Sequence, residues 1–213
     1  MFWRRPPPQR AVIDFDRAMH AIVQVGKNGR GFMCGGHIVT AASCLPRFSA
    51  FKPFDSKDSF EYKKILGRLG EAPSIAAQCE FADIVSNVAV LREIPPTLEE
   101  RYDGQYELTN WAIRFPVSAP KQSPIASSVT QQPAWVLSLE GIWVKCLAEN
   151  HSSGIRILEL PFELDGRLSG SPIVDEGGAA IGIICVPIKN ADRKNWIDIH
   201  PVAARCLPTW LAG

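Results

Sequence analysis

Short apolar runs, separated by residues that favour turns, recur along most of the chain. Runs rich in Val, Ile and aromatic side chains that end at Gly, Pro, Asn or Asp are typical of β-strands. The pattern therefore predicts a mainly β protein, built as a sandwich or as barrels. Strands are expected at residues 21–25, 31–34, 37–40, 62–69, 74–81, 88–93, 111–117, 134–139, 142–148 and 155–160, and in a hairpin that turns at 176–178.

One helix is predicted, at residues 201–211 near the C-terminus. Pro201 is acceptable in a first helical turn, because the N–H that proline lacks would have no partner there. Pro208 would bend this helix or end it early. Four apolar residues would share one face of the helix: Val202, Cys206, Leu207 and Trp210.

Prolines and charges indicate where the chain divides. Residues 1–17 include three consecutive prolines and are expected to form an extended arm. Residues 46–64 are rich in Phe, Lys and Asp and are expected to form a surface loop. Pro95 and Pro96 precede a charged stretch, which disfavours strand pairing and suits a linker. The expected units are the arm at 1–17, a first domain at 18–105 and a second at 106–213.

The amino-acid composition argues against several classes of function. A net charge of +1, with 21% charged residues, gives no field that would attract nucleic acid or a membrane as a general partner. The start of the chain lacks the apolar segment of a secretory signal, so we expect an intracellular, cytoplasmic protein. The six cysteines are too scattered for a zinc pattern, and neither a metal nor a cofactor is expected.

Three stretches carry the candidate chemistry: Thr40-Ala41-Ala42-Ser43-Cys44, Ser86-Asn87-Val88-Ala89-Val90-Leu91 and Arg167-Leu168-Ser169-Gly170-Ser171-Pro172. In order and spacing they resemble the trypsin-like (chymotrypsin-fold) serine proteases, from about His20 to the C-terminus. That family carries Thr-Ala-Ala-His-Cys, then an Asp-Ile-Ala-Leu-Leu-like strand, then Gly-Asp-Ser-Gly-Gly-Pro. The resemblance implies an all-β fold of two six-stranded antiparallel β-barrels with a short C-terminal helix.

The resemblance also implies catalytic positions, and only one keeps its residue. Ser169 matches the nucleophile, whereas Ser43 stands at the position of the histidine base and Asn87 at that of the aspartate. A serine hydroxyl attacks only when a neighbouring base takes its proton, and Ser43 offers no basic nitrogen. Asp83 could be a displaced acid, but a solvent-exposed carboxylate at a strand entry explains it as well.

Another histidine could in principle replace the base. His37 precedes Ser43 by six residues, which on an extended strand is roughly 20 Å from the required place. His151 is expected in a loop of the second domain, from which it could approach Ser169. The two other histidines, expected at a strand edge and ahead of the last helix, are His20 and His200. No lysine stands at a matching position.

The resemblance places the oxyanion-hole N–H groups at Arg167 and Ser169. The family has glycine where Arg167 stands, so a side chain there disfavours the required backbone geometry. Glu163 matches the base of the primary specificity pocket, where a carboxylate would select a basic side chain, although a solvent-exposed glutamate is an equal alternative. The strand that would pair with a substrate peptide matches Cys185, Val186 and Pro187, and proline removes one amide donor from it.

Relatives often join a cysteine beside the first barrel's strand to the one after the histidine. Cys34 and Cys44 could pair in this way, but without a secretion signal we expect reduced, mostly buried thiols.

These residues predict a serine protease homologue without proteolytic activity, a pseudoprotease that acts by binding a protein or peptide. The alternative is an active trypsin-like serine endopeptidase, whose histidine was replaced in this sequence or is supplied from elsewhere. A third hypothesis is a scaffold that binds partners through the arm or through residues 46–64. The oligomeric state does not follow from the sequence.

Overall fold

The computed structural model describes residues 15–46, 60–83, 85–94, 131–151, 154–186 and 204–207. These residues form one short helix, two single 3-10 turns and twelve strands. The expected strand at 111–117, the linker after Pro95, and most of the N-terminal arm lie outside the described residues.

The first half of the chain forms a closed six-stranded barrel, in the order β1-β2-β3-β6-β5-β4. All its neighbouring strands pair antiparallel. Its strands are β1 (Ile22–Val25), β2 (Gly29–Cys34), β3 (His37–Ala41), β4 (Phe60–Arg68), β5 (Ile75–Asp83) and β6 (Val88–Glu93). The Ala42–Cys44 3-10 turn follows β3.

The second half closes a barrel of the same size, in the order β10-β11-β12-β9-β8-β7, again with antiparallel pairs. Its strands are β7 (Gln131–Leu137), β8 (Trp143–His151), β9 (Gly154–Leu158), β10 (Pro172–Asp175), β11 (Ala180–Ile184) and β12 (Ala204–Cys206). The Gly166–Leu168 3-10 turn precedes β10. The expectation of two six-stranded antiparallel barrels is therefore confirmed.

The helix predicted at 201–211 is wrong over its centre, because Ala204–Cys206 form β12. This strand pairs with β11 and with β9, and so closes the second barrel. Tertiary pairing overrides the helical spacing of a short apolar segment here. Residues 201–203 and 208–213 lie outside the described part of the chain.

Three smaller expectations are also corrected. His20 ends the helix α1 (Phe15–His20) and is not at a strand edge. His151 ends β8 and is not in a loop. The surface loop expected at 46–64 is already strand β4 from Phe60 onward, while residues 47–59 lie outside the described residues.

Helix α1 contacts the second barrel just before the chain enters the first. The Phe15 ring lies 5.7 Å from the Trp143 ring and 6.2 Å from the Trp135 ring, between centroids. The Trp143 indole N–H donates a hydrogen bond of 3.2 Å to the Phe15 carbonyl oxygen. Because β1 begins at Ile22, the segment from Phe15 to Ile22 connects the two barrels.

A buried arginine joins the barrels from the inside. Arg30 is 5% exposed, and its guanidinium donates hydrogen bonds of 3.0 Å to the carbonyl oxygens of Leu137 and Ser138. Its backbone N–H donates to the Ser169 carbonyl oxygen at 2.8 Å, and its carbonyl oxygen accepts the Thr40 hydroxyl at 2.6 Å. Burial lowers the pKa of Arg30 to about 10. The cation is retained because two carbonyl dipoles solvate it.

Gly170 fits the junction only because it has no side chain. It has φ of +88°, and a Cβ there would lie 1.7 Å from the Arg30 carbonyl oxygen. Gly178 has a similar φ of +79°, but a Cβ there would meet nothing within 4 Å. The two glycines therefore share the left-handed backbone conformation and differ in steric space.

We expect Gly170→Ala to destabilise the protein by more than about 4 kcal/mol or to prevent folding, because rigid backbone must move. Gly178→Ala should cost only about 1 kcal/mol, the penalty of the left-handed conformation alone. Urea unfolding followed by tryptophan fluorescence measures both. Equal free energies of unfolding for the two variants would contradict the tight junction.

Candidate functional site

The first barrel brings Ser43 and Asn87 into direct contact. The Asn87 side-chain oxygen accepts a hydrogen bond of 2.8 Å from the Ser43 N–H, and its amide NH2 donates to the Ser43 hydroxyl at 3.2 Å. Ser43 lies in the Ala42–Cys44 turn after β3, and Asn87 lies just before β6. Strands β3 and β6 are neighbours, with Ala41 opposite Val88, so the two residues meet at one end of the barrel.

The backbone of Asn87 has an uncommon conformation and accepts two hydrogen bonds. Its φ is +55°, a left-handed conformation that asparagine tolerates better than most residues. Its carbonyl oxygen accepts the Ala42 N–H at 3.1 Å and the Cys185 thiol at 3.4 Å. Since Cys185 follows β11, this thiol links the second barrel to the Ser43–Asn87 pair.

Asp83 organises the turn before Asn87. Its carboxylate oxygens accept the Val85 N–H at 2.9 Å and the Ser86 hydroxyl at 2.6 Å. Asp83 ends β5, whereas the sequence placed it at a strand entry. These two bonds hold the tight β5–β6 connection that presents Asn87.

Ser169 follows the Gly166–Leu168 3-10 turn, three residues before β10, and is fully buried. Its hydroxyl donates a hydrogen bond of 2.8 Å to the Val186 carbonyl oxygen. Its own carbonyl oxygen accepts the Arg30 N–H at 2.8 Å and the Cys44 thiol at 3.3 Å. Because Cys44 adjoins Ser43, the contact places the Ser169 loop beside the turn that carries the Ser43–Asn87 pair.

The two N–H groups assigned to an oxyanion hole are both bonded within their own loop. The Arg167 N–H donates to the Asp165 carboxylate at 2.7 Å. The Ser169 N–H donates to the Gly166 carbonyl oxygen at 3.1 Å, as the Gly166–Leu168 3-10 turn requires. The Arg167 side chain bonds to the same carboxylate, with its Nε at 3.1 Å and Nη2 at 3.2 Å.

Cys44 packs against Gly29. A Cβ added at Gly29 would lie 2.4 Å from the Cys44 sulfur, so the thiol fills the space that a side chain at position 29 would need. Burial raises the pKa of the Cys44 thiol to about 11, which keeps it protonated at neutral pH. Neither Cys34 nor Cys44 is disulfide-bonded.

Two of the other candidate bases, His37 and His151, are paired with glutamates. The His37 ring lies 3.0 Å from the Glu80 carboxylate, which also pairs with Arg92 at 2.5 Å. The His151 ring lies 2.9 Å from Glu149 at the exposed end of β8. His20 is exposed at the end of α1, and His200 lies outside the described residues.

His151 and Ser169 do not contact each other. The His151 ring lies 2.9 Å from Glu149 at the exposed end of β8. Ser169 is fully buried, and its hydroxyl donates to the Val186 carbonyl oxygen. His151 therefore does not act as a base for Ser169 in this structure.

The residues predicted to bind substrate are only partly described. Glu163 is exposed in the segment before the Gly166–Leu168 turn. Cys185 is buried and Val186 is half-buried, and Pro187 lies outside the described residues. Within the described ranges, no group of three or more His, Cys, Asp or Glu side chains could hold a metal ion. No helix among the same residues is long and apolar enough to cross a membrane.

Sequence reasoning missed two residues that shape this site. Arg30 is the only charged residue within β2, between Gly29 and Gly31, and a charge inside a buried strand is a signal of a specific partner. Asp165 precedes Gly166 and accepts the N–H two residues on, the usual behaviour of aspartate at the start of a helical turn. Both signals are visible in the sequence, but their partners are not.

No protein-family model and no curated protein matches this chain. Among solved structures, a serine protease of a human pathogenic astrovirus is 13% identical, with a TM-score of 0.49, and covers 86% of this chain and 90% of its own. The inactive form of the Rv3671c protease is 14% identical, with a TM-score of 0.44 and coverage of 87% for both chains. Rv3671c comes from M. tuberculosis H37Rv.

A serine endoprotease from Yersinia pestis is 13% identical, with a TM-score of 0.48, and the match covers 87% of this chain and 60% of that chain. These neighbours are proteases, but such identities and TM-scores under 0.5 carry nothing about the activity of this chain. The fold is defined by the chain's own pair of closed six-stranded barrels.

We expect Asn87→Gly to destabilise the protein by about 2 kcal/mol, because it leaves the Ser43 N–H without its partner while permitting the left-handed backbone. Asn87→Asp keeps the oxygen acceptor and should change the free energy of unfolding by less than about 1 kcal/mol. Urea denaturation of both variants measures the difference. Equal losses would show that the contact with Ser43 contributes little.

Proposed function

We propose that this chain is a trypsin-like serine protease homologue that lacks proteolytic activity and acts by binding a protein or peptide. The proposal rests on the resemblance of three sequence stretches, together with the two-barrel fold that places Ser43, Asn87 and the Ser169 loop close together. The environment of Ser169 is the main support for the proposed lack of proteolytic activity.

The Ser169 hydroxyl is buried and already donates a hydrogen bond to a backbone carbonyl oxygen. A nucleophilic serine instead needs a base that removes this proton and a substrate carbonyl within reach. The Val186 carbonyl oxygen is far too weak a base to do so. The observed contact thus supports a serine that stabilises the loop.

The Ser43–Asn87 pair offers no substitute base. An alkyl hydroxyl does not accept a proton at neutral pH, and Ser43 has no other side-chain group. Asn87 donates its NH2 group toward Ser43, whereas an imidazole N–H in that place would need an acceptor. The Asn87 oxygen is already bonded to the Ser43 N–H. Replacing Ser43 alone with histidine would therefore leave the imidazole poorly oriented.

The alternative of an active enzyme requires a base from elsewhere. His151, the best histidine candidate from the sequence, is exposed at the end of β8 and pairs with Glu149. No described residue takes its place beside Ser169. This arrangement favours a binding function over hydrolysis.

Two exposed residues adjoin the site, one from each barrel. Val85 is 81% exposed in the turn before Asn87. The side chain of Arg167 is 61% exposed, two residues before Ser169. An exposed apolar side chain and a guanidinium that is paired with Asp165 but largely exposed suit an extended peptide, since arginine and apolar anchors supply much of the energy of peptide binding. We place the peptide-binding surface at these two residues.

We expect the purified protein to remain unlabelled by a fluorophosphonate serine probe, because Ser169 is buried and lacks a base. Intact mass spectrometry measures the adduct, with trypsin as the positive control and Ser169→Ala as the background. Labelling of the unchanged chain that disappears in Ser169→Ala would overturn the proposed inactivity. Labelling that persists in Ser169→Ala would come from another residue.

We also expect peptides enriched from a random display library to bind at Val85 and Arg167. Val85→Ser and Arg167→Ala should each raise the Kd about fivefold or more, since about 1 kcal/mol of contact energy is lost. Arg156→Ala is the matched control, because Arg156 is an exposed arginine on β9, opposite Glu149, and is not part of the proposed surface. Fluorescence anisotropy gives the Kd values. Equal Kd values for all variants would exclude this surface.

A further inference from the structure

Strands β7 and β8 carry a strip of mainly apolar side chains on the outside of the second barrel. In the middle of both strands, alternate residues are buried, and the residues between them are half-buried or exposed. Successive side chains of a strand point to opposite faces of its sheet, so the second set faces away from the barrel interior. We call this set the outer strip, and its members are Pro133, Trp135, Trp143, Lys145 and Leu147.

The outer strip is not used by the core of the protein along most of its length. Trp135 and Leu147 are not among the described residues that pack against either apolar cluster. The Lys145 Nζ lies 5.8 Å from the centre of the Trp135 ring. Because an ammonium group keeps its charge in water, this contact places the Trp135 ring at the surface. From Trp143 to Leu147 the strip is roughly 14 Å long, at about 3.4 Å per residue.

Helix α1 shows how a chain segment binds to one end of the strip. The Phe15 ring packs against the rings of Trp143 and Trp135, and the Trp143 indole N–H donates to the Phe15 carbonyl oxygen. The strip therefore offers both aromatic surface and a hydrogen-bond donor for a backbone carbonyl. Surfaces lined by aromatic side chains bind proline-rich segments, because such segments are already extended and lose little entropy on binding.

The chain has a proline-rich segment close to this surface in sequence. Pro6, Pro7 and Pro8 precede Phe15, and residues 1–14 lie outside the described residues. The seven steps from Pro8 to Phe15 span at most roughly 25 Å. This reach exceeds the length of the outer strip, so the prolines can contact any part of it while Phe15 stays in place.

We propose that the outer strip is a docking site for Pro6, Pro7 and Pro8 of the same chain. The proline rings pack on the apolar side chains that Phe15 leaves uncovered, Trp135 and Leu147 among them. The short connection to Phe15 makes this binding intramolecular, so that weak contacts are sufficient. The site is distinct from the surface at Val85 and Arg167, and the inference does not depend on the proposed function.

Photo-crosslinking of the full chain tests the docking. Gln9→p-benzoylphenylalanine places the crosslinker beside the prolines, and mass spectrometry of the digested protein locates the crosslinks. We expect crosslinks to the outer strip within one molecule. Replacing Pro6, Pro7 and Pro8 together with alanine should lower their yield about threefold or more, because contacts with the strip are lost. Leu147→Ser should do the same, whereas Val85→Ser, a matched loss of an exposed apolar side chain, should leave the yield unchanged.

The triple alanine variant keeps this test independent of folding, because it changes no described residue. An unchanged yield in that variant, or crosslinks that fall mainly outside the strip, would overturn the docking. Crosslinked dimers whose yield rises with protein concentration would show that the strip binds a second copy, and would overturn the same-chain occupant. Each result is separate from the proposed function, which is tested by probe labelling and by peptide affinity at Val85 and Arg167.

Discussion

The backbone carbonyl of Ser169 is the point on which the two barrels converge. It accepts hydrogen bonds from the Arg30 N–H and the Cys44 thiol, both from the first barrel. The Arg30 guanidinium adds a second contact between the barrels, because it donates to the carbonyl oxygen of Leu137 at the end of β7. Gly170 leaves room for the Arg30 carbonyl oxygen. The position of the Ser169 loop thus depends on main-chain contacts that require no catalytic chemistry.

Around this junction, polar groups that a hydrolase would direct toward substrate are bonded within the protein. The Ser43 hydroxyl accepts from Asn87, the Ser169 hydroxyl donates to Val186, and the Arg167 N–H donates to Asp165. Active sites commonly hold groups in strained or unsatisfied states at a cost in stability. Here local hydrogen bonding removes that cost, which accords with the proposed loss of activity.

Much of the fold was predictable, because alternating short apolar runs and glycine turns are local signals. Strand pairing between distant parts of the chain was less predictable. The apolar residues around β12 have the spacing of a helix, and this segment is a strand because it pairs with β9 and β11. The family motifs located Ser43, Asn87 and Ser169. The same motifs could not reveal the role of Arg30, whose partners lie more than a hundred residues away, or the bond from Arg167 to Asp165.

The core that surrounds Arg30 has a consequence for how the molecule holds together. The larger apolar cluster contains residues of both barrels, among them Leu137 and Ile183 beside Phe32 and Leu91. Neither half could bury these side chains alone, and an isolated first half would leave the Arg30 guanidinium without its two carbonyl acceptors. Separation of the halves would expose this shared surface to water, so the stability of each barrel depends on its contact with the other.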